Sequence, residues 1–477
     1  MKRILSFRSS QSRSAQKASA AAPANGSKAA EVVPEETDKP ADPLSTFLEQ
    51  TRTRYLEAVK EGTAGEWTVV MGNEAGDLDT IASSIAYAWL RSQLTKSTQI
   101  VPFQQTRRAD FRLREENLYA LSLAKIDTSV GSLLCRDDVT TTAPFPSHKF
   151  CLVDHNRISD VFTESNPEAQ VVAVIDHHDD EGLYKDTANP RVVEVPTGSC
   201  TSLVSRLFSQ ASGVEIPAEL ATLLMCGILI DTGGLKVGGK AEEADRQSAA
   251  WLAPRSTLAS SLQPIQGSQI NTGPPPPLQD VAAIKDLTNT LQTKKADVSH
   301  LSTTDLLKRD YKEYTLTPSW ATSENILVGL SSVPVGCTSW IQNDKDFWAD
   351  CEKWMADRGL AALGILTSFR GEPKKNRFKT SKGKHKREQL WVVNVEGVGA
   401  ELATRLWKGL EGSKDLKAKR KSFKKLGGKD EGNFTSTKVA RLYKQGNVEA
   451  NRKVTAPLVR TIVEGEGKAV PSNGVES

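Results

Sequence analysis

Three apolar runs in this sequence end in acidic or histidine-bearing segments, and those residue types point to divalent-metal chemistry. Asp176-His177-His178 closes the run Val171-Val172-Ala173-Val174-Ile175. Gly72-Asn73-Glu74-Ala75-Gly76-Asp77-Leu78-Asp79 follows Trp67-Thr68-Val69-Val70-Met71, and Asp154-His155-Asn156 follows Phe150-Cys151-Leu152-Val153. A buried strand tolerates carboxylates and imidazoles at its tip only where something compensates them. Asp77 and Asp79, spaced i, i+2 in a glycine-containing loop, can turn toward one point, and Asp231 adds a further carboxylate ahead of Thr232-Gly233-Gly234. Mg2+ and Mn2+ prefer carboxylate oxygen, and Mn2+ also accepts imidazole nitrogen. Four or more aspartates with one histidine suit two such ions about 4 Å apart, which lower the pKa of a bridging water and neutralise phosphate oxygens in an in-line displacement. Any one of these aspartates alone reads as a helix cap or turn former. Their joint occurrence at several element ends carries the metal reading. Adjacent histidines alternate in direction along an extended chain, so His177 and His178 are expected to do different jobs.

The elements that must position these residues follow from patterning. Continuous apolar runs read as strands buried on both faces, and they alternate with helix-like segments over 80–90 and 218–230. That alternation predicts an α/β domain with a mainly parallel sheet, whose sites form beyond the carboxyl ends of the strands. We expect a tail over 1–44, this first domain over 45–253, and a Pro/Ser-rich linker with a connecting helix (280–295) over 254–301. A smaller C-terminal α/β domain is expected over 302–464, with strands over 326–333, 361–368 and 390–395 and a helix over 344–358. A second tail covers 465–477.

At 477 residues the chain exceeds the usual single-domain size, which also favours two domains. No apolar run is long enough to cross a bilayer, so no membrane partner is expected. Six cysteines without a CxxC pair read as reduced thiols in an intracellular protein. The first thirty residues carry Lys2, Arg3, Arg8, Arg13, Lys17 and Lys28 and no acid. That composition fits a presequence for the mitochondrial matrix and equally a disordered tail of a cytoplasmic protein.

The ordered set Gly72-Asn73-(x)3-Asp77-x-Asp79, Asp154-His155-Asn156, Asp176-His177-His178 and Asp231-Thr232-Gly233 resembles the four motifs of the DHH phosphoesterase superfamily. The resemblance implies that Asp77, Asp79, Asp154, His177 and Asp231 are metal ligands, with Asp154 and Asp231 shared between ions. His178 would face phosphate, so that Asp154, His178 and Asp231 carry the catalytic step. Asp176 and His155 are expected behind the ligands, although His155 alone reads as a hydrogen-bonded loop histidine. Asn73 stands where pyrophosphatases of the family carry His. It could ligate through its amide oxygen or through water, and the lost imidazole tilts the site toward hard ions.

Asp310-Tyr311-Lys312-Glu313-Tyr314 and Asn451-Arg452-Lys453-Val454 look like the two basic motifs of the second DHH-associated domain. Family II inorganic pyrophosphatases, Prune-type proteins and fungal-type exopolyphosphatases carry that domain. By resemblance Lys312, Arg452 and Lys453 bind substrate phosphate from across an interdomain cleft; without it each reads as a solvated surface cation. An Arg fork grips phosphate bidentately, and Lys acts as a mobile point charge. The Asn73 form of the first motif and the intact third motif are closest to the exopolyphosphatase pattern. The implied activity is stepwise release of orthophosphate from the ends of inorganic polyphosphate by metal-activated hydroxide. Two or more Mg2+ or Mn2+ ions would serve, with Co2+ a further candidate. The alternatives are a pyrophosphatase, a Prune-type nucleotide phosphodiesterase, and a regulatory scaffold built on a decayed site. Two basic runs, 373–387 and 414–429, hold eight Lys or Arg each, opposed only by Asp415. They would concentrate a polyanion, and they read equally as solvated insertions. Phe378 and Phe423 are isolated, which gives no stacking platform for nucleic acid. A monomer is expected.

Overall fold

The computed structural model describes residues 42–129, 131–139, 144–262, 277–321, 325–371, 375–376, 379–380, 383–422 and 437–465. The tail up to residue 41, the centre of the Pro/Ser-rich linker (263–276), parts of both basic runs and the C-terminal tail from 466 lie outside the described residues.

The apolar runs that precede the acidic segments form neighbouring strands. β1 (Thr68–Met71), β2 (Ile100–Gln104), β3 (Leu134–Cys135), β4 (Lys149–Val153), β5 (Gln170–Asp176) and β6 (Arg191–Val193) pair wholly in parallel, in the order β3-β2-β1-β4-β5-β6. Val70, Cys151, Val153, Ala173 and Ile175 face one core, while Val69, Met71, Phe150, Leu152 and Val174 face another. Burial on both faces explains why these strands show no polar alternation. The first core is completed by α2 (Leu78–Thr95), α3 (Glu115–Leu123), α4 (Cys200–Gln210), α5 (Ala218–Thr232) and α6 (Glu243–Leu252). α5 is apolar all round because neighbours surround it. The other face receives Tyr55 of α1 (Pro43–Glu61). This helix begins inside the segment expected as tail, with Leu44 fully buried. Strand order reverses between β2-β1 and β4-β5, and the crevice beyond such a switch point is where open parallel sheets place their sites.

After α7 (Ala259–Leu262), α8 (Ala282–Ala296) packs Ile284, Leu287 and Leu291 into the first core. The helix expected to connect the domains is thus part of the first lobe. The second lobe opens with α9 (Thr303–Arg309) and the strands β7 (Tyr311–Leu316), β8 (Ile326–Val333) and β9 (Leu360–Arg370). A small ribbon of β10 (Lys375–Asn376) and β11 (Lys379–Thr380) precedes β12 (His385–Asn394), β13 (Ala418–Lys421) and β14 (Lys438–Gln445). Its sheet runs β13-β14-β12-β9-β8-β7, antiparallel except for the β8–β9 pair. α10 (Cys337–Asn343) and α11 (Phe347–Arg358) cover one face, and α12 (Gly399–Gly412) and α13 (Arg452–Glu464) the other. The single helix expected over 344–358 is thus preceded by a separate short one. β7, at the sheet edge, carries Lys312, and the first turn of α13 carries Arg452 and Lys453.

The lobes meet through Arg112–Asp305 at 2.6 Å, Lys308–Asp110 at 2.6 Å and Arg309–Glu116 at 3.2 Å. Leu113 of the first lobe joins the second lobe's core. All six cysteines are buried and free. Among the described residues no helix is long and apolar enough to cross a membrane.

Candidate metal centre and phosphate-facing cleft

The loop after β1 lies against the start of α2 because residue 72 is glycine. A Cβ there would stand 2.3 Å from Thr80 Cγ2 and 3.0 Å from the Thr80 carbonyl. Asp77 is the N-cap of α2, its Oδ1 accepting from the Thr80 amide at 3.1 Å. Thr80 Oγ1 in turn donates to Asp154 Oδ2 at 2.5 Å. Asp154, at the tip of β4, adopts φ +62°, a left-handed conformation that a short polar side chain tolerates. Asn73 Nδ2 donates to Asp154 Oδ2 at 2.9 Å and to its carbonyl at 3.0 Å, and Asn73 Oδ1 accepts from the Ala75 amide at 2.9 Å. Both ends of the Asn73 amide are therefore engaged in holding the loop and Asp154.

Asp79 sits in the first turn of α2 and reaches across to the start of α4. It accepts from Ser199 Oγ at 2.7 Å and from the Cys200 and Thr201 amides at 2.8 Å each. A carboxylate at a helix N-terminus satisfies orphan amides and meets the positive end of the dipole. Its Oδ2 also lies 3.5 Å from His177 Nε2. His177 Nδ1 donates to the Thr197 carbonyl at 3.0 Å, which leaves Nε2 at 3.2 Å from Asp154 Oδ1. A backbone partner on one ring nitrogen, fixing the other toward carboxylates, is the usual arrangement of a ligating histidine.

His178 is turned differently. Its Nδ1 is bound to Asp176 Oδ1 at 2.8 Å, and its side chain is 44% exposed to the cleft. Asp176 is fully buried, accepting also from the His177 amide at 2.8 Å and from Asn156 Nδ2 at 2.5 Å. Burial would raise its pKa, but the bond and charge of His178 and the bond from Asn156 outweigh it and keep the carboxyl below the usual range. His155 Nδ1 bonds the Val153 carbonyl at 2.9 Å, and the residue lines the cleft.

The cluster carries more negative charge than a buried space favours. Burial, then the charge of Asp79, pushes Asp154 well above the carboxylate range against the pull of His177. Asp231, near the end of α5, is raised to about 8 by burial and then by Asp79 and Asp77, despite Lys295 and Lys240. For His177, burial would lower the pKa, yet the bond to Asp154 and the charges of Asp79 and Asp154 raise it to about 10. All three shifts have one cause: the carboxylates need a positive partner, whether a proton or a cation. Ligand atoms of Asp154, His177 and His178 lie within 4.8 Å of one another, a spacing one ion can span. The residues present therefore suit a hard divalent ion.

A cleft of about 1420 Å3 joins this cluster to the second lobe. Asp77, Asp154, His177, His178 and Asp231 line one side, and Lys312, Arg387, Arg452 and Lys453 the other. Arg452 donates to the Asp310 carboxylate at 2.8 Å and to its carbonyl at 2.9 Å. The two basic runs part company. Arg387 of the first lines the cleft, its Nε donating to the Val448 carbonyl at 2.6 Å. The described part of the second includes β13, at the opposite sheet edge from Lys312, where Lys421 pairs with Glu388. Thr80, Thr197 and Ser199 hold ligand-type residues in place and were not singled out from sequence. Only Thr80 carries a signal, as the N3 position of a helix capped by Asp77.

Residues 67–228 match the family model of the DHH family N-terminal domain, and residues 289–462 that of the DHHA2 domain. The chain is 32% identical over 345 residues to a Schizosaccharomyces pombe protein named "Putative exopolyphosphatase", covering 69% of this chain and 80% of that one. It is 26% identical over 305 residues to "Exopolyphosphatase PRUNE1" of Mus musculus, covering 63% of this chain and 59% of the relative. A Shouchella clausii protein named "Probable manganese-dependent inorganic pyrophosphatase" is 32% identical over 189 residues, 39% of this chain and 54% of the relative. The chain thus spans less than two thirds of the last two relatives.

Proposed function

We propose, from the premise that this chain belongs to the DHH phosphoesterase family and carries a DHHA2 domain, that it is an exopolyphosphatase. It would remove orthophosphate stepwise from the ends of inorganic polyphosphate. The observation that carries this reading is the cleft itself, acidic and metal-suited on one wall and cationic on the other. Its volume of about 1420 Å3 also exceeds the roughly 300–1,000 Å3 of ordinary small-molecule pockets.

Asp77, Asp79, Asp154, His177 and Asp231 would hold two or more Mg2+ or Mn2+ ions, with Co2+ a further candidate. Such ions lower the pKa of bound water and neutralise phosphate oxygens. Asn73 and Thr80 keep Asp154 oriented through the bonds to its carboxylate. Lys312, Arg452 and Lys453 would grip the phosphates behind the one being removed and place the terminal phosphorus over the acidic wall. His178, anchored through Nδ1 to Asp176, is left with Nε2 for the substrate, where it would donate a hydrogen bond to the terminal phosphate as the anhydride P–O bond breaks. Asp176 fixes that orientation. We read the enzyme as a cytoplasmic monomer.

The test is phosphate release by the full chain from long polyphosphate, tripolyphosphate, pyrophosphate and cyclic nucleotides, under Mg2+ and then Mn2+. Turnover of the polyphosphates should dominate. Preference for pyrophosphate, to which the Shouchella clausii relative's name points, would overturn the substrate assignment.

A further inference from the structure

Arg114 stands between the lobes just ahead of α3, with its side chain 13% exposed, and touches both walls of the cleft. Its Nη2 donates to the Ala75 carbonyl at 2.9 Å, inside the loop that leads through Asp77 into the first turn of α2, where Asp79 sits. The same nitrogen donates to the Arg309 carbonyl at 3.1 Å, one residue before Asp310. Asp310 in turn receives Arg452 on both its carbonyl and its carboxylate. Two neighbours of Arg114 reinforce the link. Asn117 Nδ2 donates to the Gly76 carbonyl at 2.8 Å, and buried Glu116 takes Arg309 at 3.2 Å. A path of polar contacts, joined by the peptide link from Arg309 to Asp310, thus runs from the acidic loop through Arg114 to Arg452.

We propose that Arg114 is a positioning residue that sets the clamp of the second lobe at a fixed distance from the metal-suited loop of the first. The proposal rests on the cleft being the site described above, and it goes beyond that reading by assigning a residue outside every motif that carries it. Two carbonyls held by one guanidinium lose their shared reference point when it is removed. The two walls then vary independently, and productive placement of a substrate spanning both becomes rarer. Arg112 provides the contrast. It bridges the same lobes through Asp305, yet it is 56% exposed and its ion pair touches neither the loop nor Asp310.

The test compares Arg114→Met with Arg112→Met in the full chain, by Mn2+ titration read from the free-ion EPR signal and by kinetics on tripolyphosphate. R114M should weaken Mn2+ binding about threefold to tenfold, the range of one net hydrogen bond, while R112M leaves it unchanged. R114M should also raise KM about tenfold. In R114M/R452M the two effects on KM should combine to less than their product, because Arg452 has already lost its placement. Equal Mn2+ affinities for the two single variants, or KM effects that multiply, would overturn the proposal. Should R114M not fold, Arg114→Gln, too short to span both carbonyls, carries the same expectations. If the wild type turns over neither polyphosphate nor pyrophosphate, the functional reading fails, and the Mn2+ comparison still decides the role of Arg114.

Discussion

On the first-lobe wall of the cleft, Asp79, Asp154 and Asp176 are at most 3% exposed, and each is held by several donors from different elements. On the second-lobe wall, Arg452 is 18% exposed and its described side-chain bonds go to one residue, Asp310. The difference follows from charge. Buried carboxylates repel one another and would splay without crossing donors such as Asn73, Thr80 and Ser199. Cations facing an open cleft are hydrated until an anion arrives, so they need only a tether. The acidic wall is thus assembled in advance, and the basic wall, on the reading proposed above, would be completed by an anion.

The largest effect that tests this contrast comes from Asp154→Asn. Turnover should fall about a thousandfold or more, the scale of losing a central charge-stabilising group. Since burial and Asp79 make the ionised carboxylate unfavourable there, the metal-free variant should melt no lower than the wild type. A large drop in metal-free melting temperature would show that the acidic wall is not under charge strain. Next comes Arg452→Met, for which KM should rise about tenfold to a hundredfold, as expected for a charge-assisted contact, with Mn2+ affinity unchanged. Loss of Mn2+ affinity there would mean the two walls are not built separately. Smaller again is Gly72→Ala, where a Cβ 2.3 Å from Thr80 Cγ2 forces the loop outward. It should cost about 1–3 kcal/mol of stability in thermal or urea unfolding. An unchanged midpoint would mean the loop against α2 is loose.

How much of this was legible in sequence differs between the walls for the same reason. Asp154, Asp176, His177 and the loop through Asp79 sit at strand ends, and buried parallel strands announce themselves as apolar runs. Their tips could therefore be located, and the strand-switch geometry then brings them together. Their supporting partners could not. Thr197 acts through a carbonyl, which any residue supplies, and Asp79 caps α4, about 120 residues further along the chain, which no local pattern encodes. Lys312 and Arg452 look like any surface cations until β7 and α13 are placed at one edge of the second sheet, and only resemblance singled them out. α8 misled for a simpler reason: next to a Pro-rich segment it reads as a connector, although Ile284, Leu287 and Leu291 complete the first core.

The two walls also separate by the sign of their response to pH. Asp231, raised to about 8, holds a proton in the folded metal-free protein that the unfolded chain releases near 3.8. Between those values the folded state binds more protons than the unfolded state, so stability falls as pH rises. The contribution is complete below about 3.8 and lost as pH passes through about 8. Asp310 behaves oppositely. Burial would raise it, but Arg452 and Arg114 outweigh burial and lower its pKa, so its contribution is present above the unfolded value and lost only as pH falls below it. From pH 5 to 8 the second-lobe wall should therefore be silent. Melting temperatures in EDTA should decline with pH over that window. Saturating Mn2+ should flatten the decline by supplying the positive charge otherwise borrowed from protons, and Asp231→Asn should lessen it without metal, the remainder coming from Asp154 and His177. A decline that survives saturating Mn2+ would place its origin outside the acidic wall, and the contrast between the two walls would fail at its electrostatic root.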